Sequence, residues 1–386
     1  MKLLVLVPTF PDETNRYIGN IFVKEQVKAL SKYLDEIYVI SPVSVWRRLR
    51  SNVNFKDYSI GDNVKVYFPT YVNFPPKGFL RYLWIKSEVK SILRVIEKEG
   101  LEFDVIHAHY SWPSGAVAVK LKEKFGVPVV ITEHTSQTLR KYLEKRDSFI
   151  FNVWQKADAI IRVRKGDIGL ISQAANGKTP VFYIPNGFNG ENFRLMSKNA
   201  AREILGLPKG KKIILNVAQM YSPVKGHEFL IKAFSKVLQK RNDVLLVLVG
   251  DGKLKPKIES LIHELNVQDY VVLAGTRPHN EIPLWMNAAD LFVLPSLSEG
   301  NPTVMFEALG VGLPFIGTTV GGVPEIIISD DYGLLCPPKD PECLAEKILI
   351  TLDKEWDREK IRKYAEQFMW ENISKKILGV YREYVF

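Results

Sequence analysis

The chain is poor in several features that would settle its class at once. It holds two cysteines, Cys336 and Cys343, too few for a disulfide framework or a four-cysteine zinc site, and their scarcity fits a reducing cytoplasm. No apolar run approaches the ~18–20 residues that cross a bilayer; among the longest is Val244–Val249. The opening Met1–Val7 is stopped by Pro8 and lacks a small-residue cleavage site, so it reads as a first strand rather than a leader. Glycine turns follow apolar runs at Gly250-Asp251-Gly252 and Gly321-Gly322, but none completes G-x-G-x-x-G, because position 255 is lysine. A nicotinamide or flavin fingerprint is thereby excluded. No Walker sequence surrounds Lys225 and no G-x-S-x-G elbow occurs, which removes P-loop and α/β-hydrolase chemistry. One half of the chain also lacks a charge surplus. Residues 181–386 hold 25 Lys+Arg and 25 Asp+Glu, whereas residues 1–180 hold 28 against 18 and carry the whole net charge of +10. The first half is therefore suited to an anionic partner such as a membrane surface, a polyanion or a phosphorylated substrate.

What is present is an alternation of short Val/Ile-rich runs with amphipathic stretches. Strands are expected at 2–7, 37–40, 64–68, 105–107, 128–132, 159–163 and 181–184, then at 212–217, 244–249, 270–273, 291–294 and 314–317. Helical patterns lie between them at 19–34, 79–99, 227–241, 255–265 and 303–309. Repeated βα units with continuously apolar strands predict parallel sheets covered on both faces. At 386 residues and ~100–200 per domain, the array predicts an α/β chain of two Rossmann-like doubly wound domains facing across a cleft. The turn-forming cluster Pro185–Gly190 places the break. The expected domains are residues 1–188 and 189–365, with the tail 366–386, part of one long helical pattern from 357, packing back on the first. In such folds ligands sit beyond the carboxyl ends of the strands, where the residues of interest should therefore fall.

After the run Leu291–Leu294 comes Ser298-Glu299-Gly300-Asn301-Pro302-Thr303-Val304-Met305-Phe306-Glu307. Asn301 reads as an N-cap and Pro302 as the first helical residue. The amides of Thr303 and Val304 would then be free to bind an anion at the helix N-terminus. Glu299 and Glu307 cannot both bind that anion. They accept hydrogen bonds from hydroxyl groups on either side of it, as a nucleotide sugar would require, or they are a solvated loop carboxylate and a dipole-favoured first-turn charge. Lys225, in Pro223-Val224-Lys225-Gly226-His227, follows another strand; it neutralises a phosphate there or is a surface lysine beside a turn. His107, His109 and His134 also stand at strand ends. They suit catalytic or substrate contact better than metal, since no partner set with zinc spacing accompanies them. His107 reads equally as a bonded core residue, and His109 as a loop residue. Trp46–Arg50 and Phe74–Lys86 interleave aromatics with cations, as a membrane interface or a nucleic-acid-binding surface does, or are ordinary solvated helices with buried rings.

In this order and spacing the residues resemble glycosyltransferase family 4, retaining enzymes of GT-B fold, over nearly the whole chain. The most specific element is Glu299 with Glu307, which is similar to the family's E-x7-E motif. Pro185-Asn186-Gly187, Lys225-Gly226-His227, Gly250-Asp251-Gly252 and Gly317–Glu325 surround it in family order. The resemblance implies transfer of a hexose from a UDP- or GDP-sugar to a glycan, lipid-linked or other membrane-associated acceptor, for polysaccharide or glycolipid synthesis. It implies no cofactor, no metal and no nucleic acid, in a cytoplasmic protein able to sit peripherally on the inner membrane face. Glu299, His134 and Lys225 would be catalytic: Glu299 on sugar hydroxyls, Lys225 on the diphosphate with the Thr303 and Val304 amides, and His134 on the sugar and acceptor side. Glu307 would hold the ribose, Asn301 would line the donor site, and Gly19 would let backbone approach the donor. His109 and Asn186 would be acceptor-side or structural. The chain departs from the family pattern in lacking an arginine shortly before Lys225, in placing Asn301-Pro302 where an aromatic and a glycine are common, and in carrying Asn189 for a usual aspartate. Two other readings remain at this point: a nucleotide-sugar epimerase of similar architecture, and a non-enzymatic protein that binds a polyanion or lipid headgroup.

Overall fold

The computed structural model describes residues 1–15, 17, 19–51 and 53–385, the side chain of Val385 excepted. The chain forms two compact units, Met1–Pro185 with Trp370–Phe386, and Asn186–Met369. The division falls a few residues before the boundary expected at 188 and a few beyond the one at 365.

The first unit holds β1 (Lys2–Leu6), β2 (Glu36–Ile40), β3 (Val43–Ser44), β4 (Tyr58–Ile60), β5 (Val64–Tyr67), β6 (Thr70–Tyr71), β7 (Val105–His109), β8 (Val129–Glu133), β9 (Ala159–Arg162) and β10 (Val181–Tyr183). Its main sheet runs β10-β9-β8-β7-β1-β2-β5-β4, parallel except for the β4–β5 pair. The second unit holds β11 (Lys212–Val217), β12 (Val244–Val249), β13 (Val271–Gly275), β14 (Leu291–Leu294), β15 (Phe315–Thr318) and β16 (Gly333–Cys336). Its all-parallel sheet runs β13-β12-β11-β14-β15-β16. Each unit has an apolar core on both sheet faces, which is why its strands are continuously apolar rather than alternating.

The strand orders carry the functional geometry. From β11 the chain winds outward through β12 and β13, then returns to place β14 on the other side of β11. The first unit does the same about β1, with β2 on one side and β7 on the other. Loops after β11 and β14, and after β1 and β7, therefore leave the sheet in opposite directions and open a crevice where ligands bind in such sheets.

The tail is not the single long helix expected. It is broken into Arg358–Ala365, a short 3-10 turn at Glu366–Phe368, and Trp370–Val385. Met369 is extended between them, and a bridge pairs it with Phe188 at the other end of the second unit. The last helix belongs to the first unit, where Trp370, Ile373, Ile377 and Tyr381 join its core.

Candidate active site

In the second unit the loops after β11 and β14 are fastened side by side. The Leu297 amide donates to the Val224 carbonyl at 2.7 Å. Gly226, at φ 71°, lies so close that a Cβ there would stand 1.9 Å from the Pro295 carbonyl oxygen. This approach brings Lys225 Nζ to 2.8 Å from Glu299 Oε1, which also accepts from Ser296 Oγ at 2.6 Å. Glu299 is buried and Lys225 half-buried, so the pair sits at the mouth of the crevice between β11 and β14. Gly321, at φ 59°, backs the loop after β14: a Cβ there would stand 2.1 Å from the Glu299 carbonyl oxygen. The Gly322 amide donates to the Gly300 carbonyl at 2.7 Å.

The helix after this loop begins at Thr303, not at Pro302. Pro302 is extended at the cap position, and Asn301 does not cap the helix. Its Oδ1 instead accepts the Asn186 amide at 2.8 Å, while Asn186 Nδ2 donates to the Asn301 carbonyl at 2.7 Å. That reciprocal pair, between residues 115 apart in sequence, outcompetes the local cap. The Thr303 and Val304 amides still open the helix. Further along it, Glu307 Oε1 lies 2.8 Å from His279 Nε2, on the short turn that follows β13. His279 was missed in the sequence. It stands beyond a strand end like the other histidines, which is the signal that could have found it.

In the first unit, the residues after β1, β7 and β8 meet. Asn20, at φ 54°, donates through Nδ2 to the Thr9 carbonyl and hydroxyl and accepts from the Tyr110 hydroxyl at 2.6 Å. The loops after β1 and β7 are thus tied across their own crevice. Gly19 directly precedes Asn20, and a Cβ on it would stand 2.2 Å from the Tyr17 hydroxyl. His109 Nδ1 lies 2.9 Å from His134 Nε2 with the rings stacked, 5.2 Å between centroids. His109 is fully buried at the end of β7, not in a loop. His107 stacks on it and is bonded on both nitrogens, to the Tyr381 hydroxyl at 2.6 Å and to Thr132 Oγ1 at 2.7 Å. Of its two readings, the core histidine is the one the fold contains. Tyr381, from the last helix, carried no sequence signal for this contact.

Among the described residues, no three His, Cys, Asp or Glu side chains group as a metal site. No helix among them is long and apolar enough to cross a membrane.

The family model for glycosyltransferase family 4 matches residues 20–191, and that for group 1 glycosyl transferases matches residues 197–368. A glycosyltransferase of Methanocaldococcus jannaschii is 31% identical over 312 residues, 80% of this chain and 82% of its own. The chain belongs to glycosyltransferase family 4. The transferase also superposes on sucrose-phosphate synthase from Thermosynechococcus elongatus with a TM-score of 0.80, at 24% identity and over 99% of both chains. Anabaena HepE, solved with UDP-glucose, gives 0.75 at 20% identity, over 99% of this chain and 100% of its own. The fold is GT-B.

Burial governs the protonation of three histidines in this transferase, His107, His109 and His227. Desolvation lowers His107 to about 3; burial first, and then the Lys225 charge, lower His227 to about 4. His109 is also held well below the usual imidazole range, by burial and by its histidine neighbours. Each imidazole is therefore neutral in the folded protein. A folded pKa below the unfolded value means that the stabilisation is complete above pH ~6.5 and is lost as pH falls toward the folded value. Between pH 7 and 5, His107 alone is expected to cost the first unit roughly 2 kcal/mol. Urea unfolding of wild type and His107→Gln at both pH values checks this: the variant should show the shallower pH slope.

Proposed function

We propose that this glycosyltransferase is a retaining hexosyltransferase, using a UDP- or GDP-sugar and glycosylating a hydroxyl of a glycan or lipid-linked acceptor in polysaccharide or glycolipid synthesis. The observation that carries the reading is the Lys225–Glu299 pair at the crevice between β11 and β14, beside the helix that starts at Thr303. A cation and free helix amides suit a diphosphate, and a buried carboxylate next to them suits sugar hydroxyls. The UDP-glucose bound by HepE is the same class of donor.

In the reaction the bond from the anomeric carbon to the diphosphate oxygen breaks, and its electron pair leaves with the diphosphate. The acceptor oxygen bonds to the same face of that carbon, and its proton passes to a phosphate oxygen. Lys225 and the Thr303 and Val304 amides stabilise the departing charge, a role that needs preorganised donors rather than an enzyme nucleophile. Glu299 orients the sugar through its hydroxyls and, by pairing with Lys225, holds the cation in place before the donor arrives. Glu307, steadied by His279, takes the ribose hydroxyls. His134, steadied by His109, serves the sugar and acceptor side. Asn301, bonded to Asn186, fixes the loop that leads into the helix at Thr303, and Gly19 keeps the approach to the donor open. The protein itself holds no metal in this scheme.

The test is proton NMR of the product formed from α-linked UDP- and GDP-hexoses with lipid-linked and oligosaccharide acceptors, with and without EDTA. An α-linked product, unaffected by EDTA, is expected from one nucleotide series. A β-linked product overturns retention. Release of UDP and an epimerised sugar without acceptor would make the protein an epimerase instead.

A further inference from the structure

Large exposed apolar side chains gather in one part of the first unit. The helix Val45–Arg50 carries Trp46 and Leu49, 57% and 74% exposed. The start of the helix Gly78–Glu99 carries Phe79 and Tyr82, 72% and 51% exposed, with Leu80 beside them. The small parallel ladder of β3 and β6 brings these segments together. The first helix follows Ser44 directly, and the chain leaves Tyr71 in the same direction through exposed Val72 to reach the second. Val72 is held to that helix by Ser87 Oγ at 3.0 Å, and the Tyr71 ring lies 6.1 Å from that of Trp84.

The charge of this face has one sign. Segments 45–50 and 72–90 contain seven Lys and Arg and a single acidic residue, Glu88. Glu88 is buried, accepts from Trp84 Nε1, and is pushed up to about 7 by burial, so it offers the surface little negative charge. Arg81 and Arg48 are already bonded within the protein, to Asp147 and to the Phe55 and Phe68 carbonyls. Arg50, Lys77, Lys86 and Lys90 are exposed. Phe79, Tyr82, Lys86 and Lys90 follow one another at three- and four-residue steps and so share one helix face, distinct from the one that buries Ile85, Ile92 and Ile96. Rings lie at one end of that stripe and long cationic stems at the other.

We infer that this face docks on an anionic lipid surface, with Trp46, Leu49, Phe79 and Leu80 entering the headgroup boundary while Lys77, Lys86 and Lys90 meet lipid phosphates. Aliphatic Leu49, Leu80 and Val72 favour hydrocarbon over nucleic-acid bases, which need flat partners to stack on. Lysine stems can lie along apolar surface with their ammonium groups at the phosphates. The inference extends the acceptor half of the proposed function, since a transferase held on a bilayer meets a lipid-linked acceptor in two dimensions.

Co-flotation with vesicles tests it without reference to catalysis. Wild type should float with phosphatidylcholine vesicles containing phosphatidylglycerol at low salt, and far less with phosphatidylcholine alone or at high salt. Lys77→Glu/Lys86→Glu/Lys90→Glu should weaken partitioning by at least roughly tenfold. Trp46→Ser/Phe79→Ser/Leu80→Ser should lose insertion, seen as loss of tryptophan quenching by brominated lipid. Both variants should keep wild-type melting curves and wild-type turnover of a soluble acceptor. Absence of flotation, equal binding of both variants, or a concentration-dependent dimer that either variant abolishes would overturn the proposal. Turnover failing while flotation persists would instead count against the transferase reading.

Discussion

Lys225→Ala is expected to lower kcat by about 10²–10³ while leaving the protein folded. In the proposed reaction the leaving diphosphate gains negative charge in the transition state, and Lys225 is the cation that the loops after β11 and β14 hold at the crevice. No arginine shortly precedes it in the chain to substitute. The change also removes the Lys225 ammonium from buried Glu299, whose Oε1 still accepts from Ser296 Oγ. A modest loss of thermal stability should therefore accompany the kinetic effect. Glu299→Gln should cost a similar factor, and the double variant far less than the product of the two, because the residues act as one unit. Stopped assays with the matching nucleotide sugar, together with melting curves, check this. Full additivity of the two losses, or a Lys225→Ala enzyme within a few-fold of wild type, would remove the pair from the mechanism.

Gly226→Ala is expected to destabilise the second unit by roughly 3–5 kcal/mol and to abolish most activity with it. Two costs combine at this position. The backbone is left-handed at φ 71°, which disfavours any Cβ by about 1–2 kcal/mol. The Cβ would also meet the Pro295 carbonyl at 1.9 Å, and backbone cannot swing away as a flexible side chain can. One loop must move off the other, breaking the bond between the Leu297 amide and the Val224 carbonyl and drawing Lys225 from Glu299. Gly206→Ala separates the two costs, because Gly206 has φ 66° but nothing within 4 Å of its would-be Cβ. Only the conformational part, about 1–2 kcal/mol, should appear there, with activity unchanged. Equal melting shifts for the two variants would mean that the loops are not in register as described.

What was legible from the residues alone had local causes. Continuous Val/Ile runs forecast the twelve strands listed above within a residue or two at most ends, because a strand buried on both faces needs apolar side chains at every position. The candidate residues lie near strand ends because βα units deliver loops there. The strands that escaped notice have weak patterns: β3 and β6 are two residues each, β4 is a partly exposed edge strand, and β16 is interrupted by a glycine start. The helix cap at Asn301 and the unbroken tail were local readings that distant partners overrode. Asn186 takes the Asn301 side chain, and the pairing of Met369 with Phe188 splits the tail.

The sequence by itself determined the α/β class, the E-x7-E pair, the lysine-glycine turn and the strand-end histidines of this glycosyltransferase. Tertiary structure alone decided which of these touch. Lys225 and Glu299 are 74 residues apart, Glu307 and His279 28, and His107 and Tyr381 274. Each of these contacts depends on sheet order or on where the last helix packs, and neither can be read from a local pattern. Strand order is set by how whole apolar faces are covered at once, so the crevice between β11 and β14 exists only when the entire sheet has formed.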